Sequence, residues 1–276
     1  MIDRGFVRTG AGQIHYRSAG KPDAQAFLPL MMAHGGPGSS AGLVPLISEL
    51  SADRRVIAPD MMGNGESDPP PSVPTDIKFY AGCIIDVMDR LEVAQADFYG
   101  HHTGAQVVCE LAIAHPGRVR RLVLDGVALF SDDALREYRA RYAPPIVPDA
   151  EGSHLQWVWN FIRHTTQFFP HYKDDDDHAI VGGITLPPDV LTARAAEVLK
   201  VWSTYHIAYD AAFRHPVRER LPLLRGPALI LETAGDPLAH YAAQAAALIA
   251  RGRKAITTRA TKAETIRAFL REEEDK

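Results

Sequence analysis

Cysteine is almost absent: Cys83 and Cys109 are the only two in 276 residues. Two thiols cannot build a disulfide framework, and their apolar helical settings suit reduced, buried side chains in a reducing cytoplasm. Charge of one sign is lacking too. The 30 basic and 34 acidic residues give a formal net charge of -4, which removes any global pull towards nucleic acid or an anionic membrane. Nor is there an unbroken apolar run. The longest uncharged stretch, Ala24–Ser48, contains Pro29, Gly35, Gly36, Pro37 and Gly38, which argues against a membrane helix. The N-terminus carries Asp3, Arg4 and Arg8, without the apolar core of a signal peptide. With 46% hydrophobic and 23% charged residues, the chain reads as a soluble, cytoplasmic globule, not a disordered, collagen-like or coiled-coil one.

What is present is an alternation of short apolar strands and helices. Strands are expected at Gly5–Arg8, Gln13–Arg17, Leu28–Ala33, Arg55–Pro59, Asp97–Gly100, Val119–Leu124, Ala228–Leu231 and Lys254–Thr258. Helices are expected at Asp76–Leu91, Gly104–Ala114, Leu238–Ala250 and through Leu270. This order predicts an α/β fold whose mostly parallel sheet is covered by helices on both faces. Between the sixth and seventh strands the pattern changes to an aromatic-rich block holding Trp157, Trp159, Phe161, Phe168, Phe169, Trp202 and Tyr205. The block predicts an inserted helical cap at 129–221, with the core formed by 1–128 and 222–276. The acidic run Asp174–Asp177 reads as a solvated loop.

Ligands of open parallel sheets bind at the carboxyl ends of strands, so the loops there carry the chemistry. The third strand is followed by His34-Gly35-Gly36-Pro37-Gly38-Ser39, and the fourth by Asp60-Met61-Met62-Gly63-Asn64-Gly65-Glu66-Ser67-Asp68. The fifth runs into Gly100-His101-His102-Thr103-Gly104. In this order the three motifs resemble the α/β-hydrolase fold family: an oxyanion loop, a D-x-x-G-x-G-x-S segment and a G-x-S-x-G nucleophile elbow. The resemblance covers nearly the whole chain and implies a hydrolase-type fold with an inserted cap.

Two departures bear on activity. His102 stands where the family has its serine, cysteine or aspartate, and the loop after the last strand, Arg259-Ala260-Thr261, lacks the family's histidine base. The resemblance keeps Asp236 as the acid, with Asp125 as the alternative acid position, and Gly36 and Thr103 as oxyanion donors. An imidazole at the elbow titrates near neutrality and, oriented by Asp236, serves as acid/base. His34 is expected to brace the oxyanion loop; His101, unremarkable in the family as the residue before the elbow tip, is counted with His34 and Asp125 among the substrate or support residues; Ser39 and Ser40 read as turn residues. Trp157 and Trp159 are candidates for an apolar substrate pocket. His154, His164, His171, His178, His206 and His215 lie in the inserted block, and one or two of them could replace the missing base. No metal-ligand spacing and no nucleotide fingerprint occur, so neither metal nor cofactor is expected.

The expected activity is hydrolysis of an ester or lactone, or cofactor-free lyase chemistry, on a small, partly apolar carbonyl compound. The expected partner is that small molecule, with no nucleic acid and no membrane; oligomeric state is left open. The competing reading is a non-catalytic binding protein on the same scaffold, which would bind a ligand tightly without turnover.

Overall fold

The computed structural model describes residues 1–20, 27–73 and 75–272; the first three residues of the uncharged stretch Ala24–Ser48 lie outside them. Eight strands form one sheet: β1 (Asp3–Arg8), β2 (Gln13–Ala19), β3 (Leu30–Ala33), β4 (Val56–Pro59), β5 (Ala96–His101), β6 (Val119–Asp125), β7 (Ala228–Thr233) and β8 (Gly252–Thr257). Their spatial order is β1-β2-β4-β3-β5-β6-β7-β8. β1 pairs antiparallel with β2, and β2 with β4; every other neighbour is parallel.

All four residues of β3 (LMMA) and of β4 (VIAP) are buried, as strands covered on both faces must be. The period of two sorts them. Met31, Ala33, Phe98, Leu122, Leu124 and Ile230 join one apolar cluster, whereas Leu30, Met32, Tyr99, Val123, Leu229 and Leu231 join another. α2 (Ile77–Arg90) and α3 (Thr103–Ala114) close the first face. α1 (Val44–Leu50) and α10 (Lys262–Arg271) close the second. The Asp76 carboxylate caps α2 by accepting the Phe79 amide at 2.8 Å.

The chain steps from β3 outwards to β4, then returns to β5 on the other side of β3. The loops leaving β3 and β5 therefore part in opposite directions, and the crevice between them is where a ligand of such a sheet lies.

Between β6 and β7 the chain forms α4 (Asp132–Arg141), α5 (Ser153–His164), α6 (Pro188–Lys200), α7 (Tyr205–Arg214) and α8 (Val217–Arg220). This insertion has its own cluster of Tyr138, Tyr142, Phe161, Val198, Tyr205 and Tyr209. It docks on the core through polar contacts. Ser39 donates to Glu197 at 2.5 Å, Thr204 donates to the Gly63 carbonyl at 2.8 Å, and Lys200 pairs with Glu66. The acidic run is exposed, and Asp175 caps a short turn at Asp176–His178.

One expected helix differs. Leu238–Ala250 is a 3₁₀ turn at Ala239–Tyr241 followed by a short α9 (Ala242–Ala247). The Asp236 carboxylate and carbonyl accept the Leu238 and Ala239 amides at 2.8 and 3.1 Å, which ties the segment into a turn before a helix can begin. Both cysteines are buried and unpaired. Burial pushes the Cys83 thiol up to about 12 and moves Cys109 in the same direction. Among the described residues no helix is long and apolar enough to cross a membrane.

Candidate active site

The strand-to-helix bend after β5 is made by its two glycines. A β-carbon on Gly100 would lie 2.5 Å from the Gly104 carbonyl oxygen, and one on Gly104 would lie 2.2 Å from that of Ala33. With both side chains absent, α3 can cross close behind β3 and β5. His102, at the tip, has φ 49° and ψ −112°, a conformation its β-carbon disfavours and the surrounding chain imposes.

The imidazole so presented is one-quarter exposed, at 26%, and its Nε2 lies 2.8 Å from Oδ2 of Asp236. The other carboxylate oxygen accepts the Leu238 amide, which aims Oδ2 at the elbow. His101 turns its ring onto the same place. It stacks on His102 with centroids 3.9 Å apart and planes 19° from parallel, and its Nε2 stands 3.6 Å from Oδ2, beyond hydrogen-bond range. Gly126 forms the wall opposite: a β-carbon there would lie 2.1 Å from Cδ2 of His102.

These contacts separate the two rings electrostatically. Burial alone would lower His102, but the charge and hydrogen bond of Asp236 outweigh it and raise its pKa. His101 is lowered by burial and then by the neighbouring His102 charge. Asp236 is raised by burial, yet His102 and His101 prevail and hold it well below the usual carboxylate range. Between the two midpoints the pair carries one positive charge, which Asp236 favours on His102.

The loop after β3 lies against this pair, since a β-carbon on Gly35 would be 2.9 Å from Nδ1 of His101 and 3.2 Å from Cβ of His102. Neither the Gly36 nor the Thr103 amide hydrogen-bonds within the described residues. His34 is buried; its Nδ1–H donates to the Gly35 carbonyl at 3.0 Å and its Nε2 accepts the Met61 amide at 2.9 Å, which pins the loop. Ser40 is tied through its amide and hydroxyl to Asp60 at 2.8 and 2.5 Å. Asp125 is brought near but not into the pair. Wholly buried, it accepts from Tyr99 at 2.6 Å, Thr233 at 2.8 Å and Lys262 at 2.6 Å.

Tyr209 lies against the loop after β3. Tyr209 of α7 packs its ring 3.2 Å from where a Gly36 β-carbon would be, and the Asp236 charge contributes to raising the Tyr142 hydroxyl, after burial. Trp157 and Trp159 are only partly buried and pack on the insertion's own cluster, Trp157 stacking on Phe161 at 5.1 Å. Their helical spacing on α5 serves packing. Tyr209 also lines a cleft of about 230 Å³ between α4 and α7, with Tyr138, Arg139, His206 and Phe213.

Among the described residues no histidine of the insertion hydrogen-bonds His102. His171 instead donates to the Tyr142 carbonyl at 2.7 Å, and burial lowers it to about 4. His154 and His178 pair with Asp149 and Asp175, His164 with Arg163, and His215 lies 3.5 Å from Glu110. His206 buries an Nδ1 without a partner. The donor atoms of His101, His102 and Asp236 all lie within 4.8 Å of one another. They do not fit a metal ion as they stand: stacked rings aim their lone pairs side by side, so an ion about 2.0–2.1 Å from both nitrogens would sit far out of each ring plane.

A family model described as the alpha/beta hydrolase fold matches residues 29–255. The chain belongs to the α/β-hydrolase fold family. A 2-hydroxymuconate semialdehyde hydrolase of Pseudomonas sp. (strain CF600) is 45% identical over 109 residues, 38% of each chain. A 2-hydroxy-6-oxo-2,4-heptadienoate hydrolase of Pseudomonas putida F1 is 37% identical over 107 residues, 38% of this chain and 39% of that one. The match thus spans about two-fifths of either relative's length. The solved enol-lactonase from Burkholderia xenovorans LB400 superposes with a TM-score of 0.70 at 19% identity, over 96% of each chain, a likeness of fold alone.

Within the α/β-hydrolase frame, three residues near the elbow escape the motif reading. His101, expected only as a support residue before the tip, stacks on the tip residue itself. Lys262 follows the loop that lacks the histidine, and its position just after β8 was the available signal. Tyr209 lies in an irregular aromatic block, where sequence carries no signal for which ring turns towards the site.

Proposed function

We propose that the chain is a hydrolase of small, partly apolar carbonyl compounds bearing a carboxylate, in which His102 and His101 divide the proton transfers. The observation that carries this reading is the stacked histidine pair on one ionised carboxylate, beside two unengaged backbone amides. Two titratable groups whose midpoints are pushed apart supply an acid and a base at one pH.

In this mechanism neutral His101 takes a proton from water while the water oxygen bonds to the substrate carbonyl carbon. The carbonyl electron pair moves onto oxygen, where the Gly36 and Thr103 amides hold it; one such donor is worth about 3–4 kcal/mol. Collapse re-forms the carbonyl and breaks the bond to the leaving oxygen, which takes the proton of His102. Proton exchange with solvent then returns His101 to neutral and His102 to its cation. Asp236 orients the pair throughout.

Two further features support the substrate class. The relatives' names describe small carbonyl compounds that bear a carboxylate, an oxo-dienoate and a semialdehyde, which supports the carboxylate and not the choice of bond broken. Arg194 of α6 and Arg259, on the loop after β8, have no ion-pair partner among the described residues and lie close enough for their charges to repel, a ready seat for a carboxylate. The insertion, as a cap carrying Arg194 and Tyr209, would close over the bound molecule.

The test is a pH–rate profile on activated esters and enol lactones of small keto acids. A bell-shaped profile is expected. His102→Ala and His101→Ala each lower kcat by about 10²–10⁴-fold, the first abolishing the alkaline limb and the second the acid limb. Arg194→Met raises KM for carboxylated substrates and leaves kcat near wild type. Wild-type rates in both histidine variants would refute the assignment, and tight ligand binding with no turnover would make the chain a binding protein.

A further inference from the structure

The loop that lacks the family's histidine ends in a lysine with an unusual destination. After β8 the chain turns at Thr258–Thr261, tied by the Thr261 hydroxyl, which accepts the Thr258 amide at 3.0 Å and lies 3.0 Å from the Thr257 hydroxyl. α10 then begins at Lys262, whose ammonium crosses to Oδ2 of Asp125, at the end of β6, at 2.6 Å. Tyr99 and Thr233 complete the carboxylate's partners, and its exposure is 0%. This ion pair is part of the elbow's floor. The Asp125 carbonyl accepts the His102 amide at 2.9 Å, and the next residue, Gly126, is the wall against the His102 ring.

Stability alone does not call for such a pair. Taking the Asp125 charge out of water costs several kcal/mol, and apolar replacements of such pairs are often neutral or stabilising. An ion pair here, with its carboxylate wholly buried and its lysine side chain 16% exposed, therefore points to its field. We propose that Lys262 is a positioning residue for His102: a fixed counter-charge that keeps Asp125 ionised beneath the elbow and so sets the field in which the imidazole exchanges its proton. This rests on the reading of His102 as a proton-transfer group.

The groups that act on His102 come from four elements: His101 of β5, which stacks on it, Asp125 of β6, Asp236 after β7 and Lys262 of α10. Tyr99 of β5 donates to Asp125, and burial followed by neighbouring tyrosines and the Asp236 charge raises Tyr142 of the insertion. Of these, Asp125 and Lys262 act on His102 with opposite signs, the carboxylate raising its midpoint and the ammonium lowering it. Against its burial, Asp125 is held below the usual carboxylate range, first by Lys262.

The experiment is an NMR titration of the whole chain with labelled histidine and aspartate, His102 being assigned by the signal lost in His102→Ala. In the native chain Asp125 stays ionised from about pH 5 to about pH 9. In Lys262→Met the Asp125 carboxyl carbon is expected to titrate within that range, and the His102 midpoint to move. In Asp125→Asn the His102 midpoint is expected to fall by about half a unit or more. Lys262→Arg restores both readouts. An Asp125 carbon that stays untitrated in Lys262→Met, with the His102 midpoint within about 0.2 unit of native, overturns the proposal. Should Lys262→Met fail to fold, Asp125→Asn decides alone, an unchanged midpoint being the overturning result. Failure of the proton-transfer reading looks different: His102→Ala would keep full activity while these midpoints still move.

Discussion

A single methyl group at position 126 tests the geometry of the elbow without any substrate. Gly126 has φ +72°, and a β-carbon there would come within 2.1 Å of Cδ2 and 2.5 Å of Nε2 of His102. Carbon atoms pack at about 3.5–4.0 Å, so in Gly126→Ala the ring must retreat by more than about 1 Å. A 2.8 Å hydrogen bond to Asp236 does not survive that displacement. The positive φ costs about 1–2 kcal/mol for alanine, and losing a bond between charged partners costs about 1.5–3 kcal/mol. Glycine's larger unfolded-state entropy offsets part of this, by about 0.4–1 kcal/mol. A net destabilisation of about 3 kcal/mol is expected by urea denaturation at neutral pH. The same variant should bring the His102 midpoint down towards that of an ordinary imidazole, because the raising partner has been pulled away. A chain that keeps both its stability and its raised His102 midpoint would mean the ring does not lie on Gly126, and the arrangement of the elbow would have to be redrawn.

Two further outcomes follow from the same contacts. His171 is buried and neutral with its pKa lowered to about 4, so between there and about 6.5 the unfolded chain binds the extra proton. Stability should therefore rise with pH across that window, and His171→Gln should flatten the slope, which is worth up to about 3 kcal/mol on linkage grounds; an unchanged slope in the variant's pH-dependent denaturation would contradict it. His102→Ser should fold and yet remain a poor esterase, because no imidazole stands after β8 and His101 lies face-on to the tip instead of pointing a nitrogen at it; rapid burst acylation by an activated ester would show that His101 or another base reaches the hydroxyl.

The sheet was legible because central parallel strands are apolar on both faces, and runs such as those of β3 and β4 have no other soluble explanation. The elbow was legible through Gly100 and Gly104, whose missing side chains are a geometric demand that sequence records directly. Asp236 could be named because the family resemblance places its acid after this strand. The histidine stack could not. Whether His101 faces away from or onto its neighbour is decided by rotamers, Gly35 and the position of Asp236, none of which leaves a spacing in the chain. The insertion was equally opaque: Trp157 and Tyr209 are both aromatic residues on helices, and only packing tells a ring that fills the interior from one that covers the oxyanion loop. The helix expected at Leu238–Ala250 shows the converse error, where alanine-rich composition outweighed an aspartate whose carboxylate and carbonyl each claim one amide at its start.

The bend at residue 102 owes its shape to what flanks it. Gly100 and Gly104 let two backbones touch, and the hydrogen bond from the His102 amide to β6 anchors the turn, so the tip contributes only its side chain. The position behaves as a socket, in which an imidazole, a hydroxyl, a thiol or a carboxylate can be seated at the same point in space with the scaffold unchanged. A change of reaction on this frame then asks for one exchange at the tip and a matching one at the loop beyond β8, two places about 160 residues apart that the sheet brings to the same carboxyl edge three strands from each other.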